Sequence, residues 1–354
     1  MPMQESLKSA LVDAHVASNL IDAAIDSGYY LRNWVEPFSG RTWTTVSDMM
    51  YGNKQFSSSF DLADFTKYIN RRHAFESLPG FTTYEARDLK DIEGILADSR
   101  RSHYREEGSF TFRGQPREYK FKRKIPNPVR ADEDGYELSV MPGAYRQREE
   151  FYSFAIQPRE ERSFEFLLRE LEPNNPDIEL DAPYAYDVMR TEQHYATQTA
   201  GLDLSFEIET ALFFATHQFK WDTDNLAFYQ EVNPGEHTGV IYCFRFIDPP
   251  VKKTQYLIRE FDLFRTFPPS RILRQDCGLP LFMQSERNIA ITDIDCIIKL
   301  ASDFKVPNNS TIRSPEYMFP SAAHDKFYGK LLGIKDKKPE LLSKVVEYKW
   351  AREE

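Results

Sequence analysis

Ser205-Phe206-Glu207-Ile208-Glu209-Thr210-Ala211-Leu212-Phe213-Phe214-Ala215, followed further on by Gly239-Val240-Ile241-Tyr242-Cys243-Phe244-Arg245-Phe246, is the stretch on which the fold class turns. The first part predicts a helix over 205–219. Ser205 is suited to the N-cap, Glu207 and Glu209 fall where the helix dipole favours acids, and the Ala-Leu-Phe-Phe-Ala run supplies a broad apolar surface. The second part is a short, continuous apolar run of the kind found in a strand buried on both faces. A helix feeding a buried strand, with no regular βαβ alternation around it, predicts an α+β protein. The expected architecture is a central mixed or antiparallel sheet with flanking helices, a helical N-terminal extension and closing C-terminal helices.

Working outward, Ser109-Phe110-Thr111-Phe112-Arg113 alternates polar and apolar residues with the period of a strand. Helical spacing of apolar residues predicts helices over 6–27, 61–73, 84–98 and 159–172, the last ended by Pro173-Asn174-Asn175-Pro176. A polar turn is expected from Ser99 to Gly108, a loop over 125–138, and closing helices over 321–334 and 338–349. The first portion shows no catalytic signature. Residues 1–80 therefore read as a mainly helical N-terminal extension for docking or recognition, and residues 81–354 as the main domain.

The 354 residues are 41% hydrophobic and 28% charged, which is ordinary for a globular protein, and 14% aromatic, which suits rings packed across several layers. A formal net charge of -10 argues against non-specific binding to duplex nucleic acid, whose affinity comes from neutralising phosphates. The run Arg117, Lys120, Lys122, Arg123, Lys124 is the candidate basic patch, and a solvated edge strand is its plainer reading. Three well-separated cysteines (Cys243, Cys277, Cys296) offer neither a disulfide framework nor zinc-ligand spacing, so no metal is expected. No signal peptide or apolar run long enough to cross a membrane is visible, which makes a cytoplasmic protein the expectation.

Three segments concentrate the chemistry. In Phe112-Arg113-Gly114-Gln115, Arg113 falls on the polar face of a strand end, where a guanidinium can take a phosphate or carboxylate in bidentate fashion. Gly114 would let a backbone approach a ligand, and a structural Arg bonding loop carbonyls is the alternative. In the second segment, the loop Gln193-His194-Tyr195-Ala196-Thr197-Gln198-Thr199 runs through Gly201-Leu202-Asp203-Leu204-Ser205 into a helix N-terminus. Such a terminus binds anions, although Asp203 and Ser205 would equally serve as caps. His194 is an acid, base or hydrogen-bond donor near neutral pH, or a buried His bonding a carbonyl. The third segment is Ser270-Arg271-Ile272-Leu273-Arg274-Gln275-Asp276-Cys277-Gly278, where Gln275 can read an amide or hydroxyl but is a weak base.

Together these segments resemble the FRG domain family over roughly residues 85 to 290. The matching residues are Phe112-Arg113-Gly114-Gln115, Pro142-Gly143-Ala144-Tyr145-Arg146, Gln193-His194-Tyr195 with Thr199, Asp203 and Ser205, Ala211-Leu212-Phe213-Phe214-Ala215, and Arg271 with Gln275. Departures fall at Ala196, Ala200, Leu204 and Ser205, where the family carries Gly, Arg, Trp and Thr, and Gly278 stands one residue late. The resemblance implies a bacterial or phage protein of conflict and defence.

The aromatic-Arg-Gly strand end is also similar to the first motif of ADP-ribosyltransferases. That likeness implies NAD as a substrate. Arg113, Gly114, Gln115, Tyr195, Thr199 and Ser205 would bind it, and Arg113, His194, Asp203 and Gln275 would be the catalytic set. Glu207-Ile208-Glu209 has the Glu-x-Glu spacing of those enzymes but lies in a predicted helix turn, where it reads as dipole complementation. A second reading is a non-catalytic sensor of a nucleotide or a partner protein, with a protein partner engaged through the N-terminal extension. A third is a metal-dependent nuclease using Asp203, Glu192 and His194.

Overall fold

The α+β architecture is present in the computed structural model, which describes residues 2–35, 38–51, 59–71, 81–106, 110–146, 191–197, 199, 201–246, 251–252, 267–279, 288–290, 293–306, 314–340 and 342–353. The helix expected over 159–172 lies outside the described residues. The chain divides into two units, one of Met1–Gly80, Tyr119–Ile156 and Phe282–Thr292, the other of Phe81–Glu118, Gln157–Leu281 and Asp293–Glu354. The chain thus passes between the units several times, first after Gly80.

In place of one helix over 6–27 there are two, α1 (Pro2–Asp13) and α2 (Ser18–Asp26), interrupted where His15 takes a φ of 56. β1 (Tyr29–Val35) and β2 (Thr42–Asp48) form an antiparallel hairpin, with β3 (Ser59–Phe60) on the far side of β2. α3 (Leu62–Arg71) then packs Phe65, Tyr68 and Ile69 into this unit's core beside Leu7, Leu11, Ile21 and Val46.

The helix expected over 84–98 begins instead as a strand, β4 (Thr83–Asp88). Its main chain pairs with a distant strand that local periodicity cannot register. Asp88 then caps α4 (Leu89–Leu96), its Oδ1 accepting from the Asp91 N–H at 3.0 Å. The expected turn from Ser99 is mostly helix, α5 (Ser99–Glu106). β5 (Phe110–Gln115) is the strand that the alternation predicted.

β6 (Lys120–Lys122) and β7 (Tyr136–Leu138) pair antiparallel, the latter inside the stretch expected to be loop, and α6 (Gly143–Arg146) follows. Lys120 and Lys122 are exposed, as an edge strand requires, but Arg123 is buried and does not belong to a basic patch. Its Nη1 and Nη2 donate to Asp48 Oδ1 and Oδ2 at 3.0 and 2.7 Å. Its Nε and Nη2 donate to Glu137 Oε1 and Oε2 at 2.9 and 2.8 Å, and Nη1 also reaches the Ser27 carbonyl at 2.7 Å. Tyr51 Oη and Asn127 Nδ2 complete the shells of Glu137 and Asp48 at 2.6 and 2.8 Å. Burial alone would lower the Arg123 pKa, but the two carboxylates outweigh it and hold the guanidinium charged.

The remaining elements are β8 (Leu204–Ser205), α7 (Ile208–Thr216), β9 (His217–Trp221), β10 (Ala227–Glu231), β11 (Val240–Arg245) and β12 (Val251–Lys252). After them come α8 (Ser270–Gln275), β13 (Cys277–Leu279), β14 (Ile294–Lys305), α9 (Pro315–Met318) and α10 (Lys326–Lys337). The helix expected over 205–219 is thus shorter at both ends. Ser205 is no N-cap, because its main chain is taken by strands on either side. Residues after Thr216 leave the helix for an antiparallel pairing between β9 and β10.

Among the described residues, seven strands form the central sheet in the order β12-β13-β8-β5-β11-β14-β4, with every pairing antiparallel except β14 to β4. Phe112, Ile241, Cys243, Cys296 and Ile298 share the core with Ala211, Leu212 and Ala215 of α7. The helix comes close because two positions beneath it lack a side chain. A Cβ on Gly114 would strike the Ala211 carbonyl oxygen, and one on Gly239 the Ala215 carbonyl oxygen.

No helix forms over 338–349 among the described residues. Val345, Val346, Tyr348 and Trp350 reach the core through turns and bridges, with main-chain bonds from Val346 N to Tyr195 O at 2.8 Å and from Ala227 N to Glu347 O at 2.7 Å. Their apolar side chains are buried, and long-range main-chain pairing replaces the expected helix. No helix among the described residues is long and apolar enough to cross a membrane.

Candidate functional site

The site forms where β8 lies between β5 and β13. Ser205 is opposite Phe112 on one side and Cys277 on the other, so the neighbours of those residues are gathered around a strand of two residues. α8 supplies the third wall. It ends in Asp276, whose left-handed φ of 41 suits a short polar side chain and turns the chain from helix straight into β13. The Asp276 carbonyl accepts from Phe206 N–H at 2.9 Å, locking that turn to β8.

Arg113, His194, Asp203 and Gln275 meet here. Arg113 Nη1 donates to the main-chain carbonyl of Asp203 at 2.7 Å. The imidazole of His194, on a helical turn over 191–195, has Nε2 at 3.2 Å from Asp203 Oδ2 and Nδ1 at 3.1 Å from Gln275 Oε1. Gln275 Nε2 donates to the Met318 carbonyl at 3.0 Å, and a carbonyl only accepts, so the amide is oriented with its oxygen toward the histidine. The Gln275 main-chain carbonyl receives the Ser205 hydroxyl at 2.9 Å and the Cys277 thiol at 3.2 Å. Ser205 Oγ in turn accepts from Glu207 N–H at 3.0 Å.

Depth divides these residues by role. The His194 side chain is 1% exposed and Gln275 is buried, whereas the Asp203 side chain is 16% exposed and Arg113 is half-buried. Arg113 and Asp203 face what approaches from solvent, and His194 and Gln275 hold Asp203 from beneath.

The other candidates differ from expectation. Gly114 serves the close approach of α7 and leaves no room for a ligand on that side. Tyr195 is fully buried, and its hydroxyl donates to Asp325 Oδ2 at 2.7 Å; burial first, then that carboxylate, pushes its pKa well above the ordinary value. It is a core residue, with its ring and hydroxyl closed off from any ligand approaching from solvent. Gln115 is buried, with neither amide atom hydrogen-bonded among the described residues. Thr199 is buried on the stretch leading to Asp203. Glu207 and Glu209 sit at the N-cap and in the first turn of α7, where acids complement the dipole.

Arg271 carries more weight than its sequence suggested. Fully buried, it donates from Nη1 to the His194 carbonyl at 3.0 Å. Its guanidinium lies 3.8 Å from the Tyr328 ring centroid and 4.5 Å from that of Tyr195. It thereby ties the histidine's backbone to the aromatic core. The helical spacing of Arg271 and Gln275 was the available signal, since residues four apart share a helix face. Cys277 carried no such signal.

Comparison with protein-family models, with curated proteins and with solved structures yields no match.

Proposed function

We propose that this chain is an FRG-type module of bacterial or phage conflict that binds an NAD-like dinucleotide at Arg113 and Asp203 and transfers its ADP-ribosyl group. One observation carries this reading. Four residues singled out as a catalytic set come from three chain segments, and the contacts Arg113–Asp203, Asp203–His194 and His194–Gln275 join them. An assembly of Arg and a held carboxylate is what a dinucleotide needs, because the fork of Arg suits a pyrophosphate and the carboxylate suits ribose hydroxyls. In the transfer, the C1′–nicotinamide bond breaks with its electron pair leaving on nicotinamide. The acceptor atom bonds to C1′ and gives up its proton. In this reading the Asp203 carboxylate, held by His194, stabilises the positive charge growing on the ribose.

The test is NAD consumption with labelled product by the full chain, compared with Arg113→Ala checked for folding by circular dichroism. Turnover lost in a folded Arg113→Ala protein supports the reading, and full turnover there removes it.

A binding module without turnover is favoured by a different observation: both His194 nitrogens are engaged and its side chain is closed to solvent. It is distinguished by thermal stabilisation with NAD or ADP-ribose in the absence of any product.

A further inference from the structure

The tautomer of His194 is settled by its neighbours. Gln275 presents its amide oxygen to Nδ1, so Nδ1 carries a hydrogen and donates it. In a neutral imidazole, Nε2 is then a lone pair, and it faces the Asp203 carboxylate at 3.2 Å. Two electron-pair donors at that distance need an electrophile between them, either a second proton or a metal ion.

A third donor distinguishes the two. Cys277 Sγ, on β13, belongs to the same cluster: one atom each from His194, Asp203 and Cys277 all lie within 4.8 Å of one another. A proton can be shared by only two of them, whereas a metal ion takes all three.

We propose that His194 Nε2, Asp203 and Cys277 Sγ form a site for a borderline-soft divalent transition metal, with zinc as the expected ion. Nitrogen, oxygen and sulfur ligands at zinc distances of about 2.0 to 2.3 Å put tetrahedral neighbours roughly 3.3 to 3.7 Å apart. The His194–Asp203 pair, at 3.2 Å, is within about 0.1 Å of that spacing, and Cys277, no more than 4.8 Å from either partner, needs to close by about 1 Å to complete it. On binding, the Cys277 thiol gives its proton to solvent, and its sulfur turns from the Gln275 carbonyl to the metal. Gln275 then acts as an outer partner that orients the histidine through Nδ1, a common arrangement behind a metal-bound imidazole. Three protein ligands, with the partly exposed Asp203 on the open side, leave a fourth position for water or a substrate oxygen. The thiolate separates this set from the all-oxygen sites that hold magnesium. Glu192 is not one of the three converging donors. Sequence spacing hid the set because Cys277 lies far along the chain from His194 and Asp203.

The site shares His194 and Asp203 with the proposed transfer site, but metal binding is tested without nucleotide, so its failure is separable from failure of the transferase reading. The full chain is depleted of metal, titrated with Zn²⁺ and then with Co²⁺, and examined by elemental analysis and absorption spectroscopy. About one zinc per chain is expected, together with a cobalt spectrum that carries a thiolate-to-metal charge-transfer band. Cys277→Ser should abolish that band, and Gln275→Leu should weaken zinc binding by about 10- to 100-fold. Where Cys277→Ser does not fold, Asp203→Asn, at the exposed edge, should keep the band while weakening binding. The proposal is overturned if the wild-type chain takes up no stoichiometric metal, so that an imidazolium–carboxylate pair is all the site holds. A charge-transfer band that survives in Cys277→Ser, or unchanged affinity in Asp203→Asn, overturns it equally.

Discussion

Arg113 is anchored to the main chain of Asp203 and not, by that bond, to its carboxylate: Nη1 donates to the Asp203 carbonyl oxygen at 2.7 Å. Removing the carboxylate charge therefore leaves this anchor in place. Asp203→Asn is expected to keep part of the NAD-induced thermal stabilisation, through Arg113, while losing turnover, whereas Arg113→Ala should lose both. Full loss of ligand stabilisation in Asp203→Asn would show that the carboxylate, and not the anchored Arg113, dominates binding.

Two glycines of the same unit should respond in opposite directions to alanine. At Gly114 the new Cβ meets the Ala211 carbonyl of α7, a backbone atom that cannot swing away. Gly114→Ala should cost about 1–3 kcal/mol or more, as overpacking does. Gly94, inside α4, has nothing within 4 Å of the same position. Gly94→Ala should stabilise by about 0.5–1 kcal/mol through helix propensity. Urea denaturation of both variants provides the check.

Arg123 neutralises two buried carboxylates, Asp48 and Glu137, which without it would be left unpaired. Arg123→Met should destabilise by about 3–5 kcal/mol. Its sequence neighbour Lys124 pairs with Asp26 at 2.7 Å, but both side chains are more than half exposed. Lys124→Ala should change stability by less than about 1 kcal/mol. A similar effect for the two substitutions, measured by chemical denaturation, would contradict the buried network.

Stability should also fall as the solution is acidified through the histidine range. Burial lowers the pKa of His217, against the opposing pull of its bond to the Phe213 carbonyl, and burial likewise lowers that of His237. The unfolded chain therefore takes up these protons first, beginning near the ordinary value of 6.5. The stability that the neutral rings contribute is fully present above that pH and is lost as pH drops through it toward the lower folded values. Melting temperatures between pH 8 and pH 5.5 should show this decline, and His217→Asn should make it shallower. An unchanged slope in that variant would remove His217 as a source.

The residues of the candidate site were legible because each is an unusual polar group beside a strong structural signal: Arg113 at the end of an alternating strand, His194 and Asp203 before an apolar helix, Gln275 one turn after Arg271. Their division of labour was not legible. Burial of His194 and Gln275, against partial exposure of Asp203, depends on what the rest of the unit packs around them. Gly114 and Tyr195 were misread for the same reason. A glycine marks close backbone approach without saying whether a ligand or a helix approaches, and a tyrosine in a polar motif can still turn its ring inward.

By itself the sequence determined the fold class, the buried strand β11, the alternating strand β5 and α3. These rest on the periodicity of apolar residues, which a short window contains in full. Tertiary structure alone decided that Leu204–Ser205 is a strand, that residues 84–88 are strand and not helix, and that residues 338–349 close the core without a helix. It also decided that Arg123 is buried and that Cys277 joins His194 and Asp203. In each case the deciding partner lies far away in the chain. Main-chain hydrogen bonds and charge neutralisation are satisfied by whatever the fold brings near, and no local pattern of side chains records that choice.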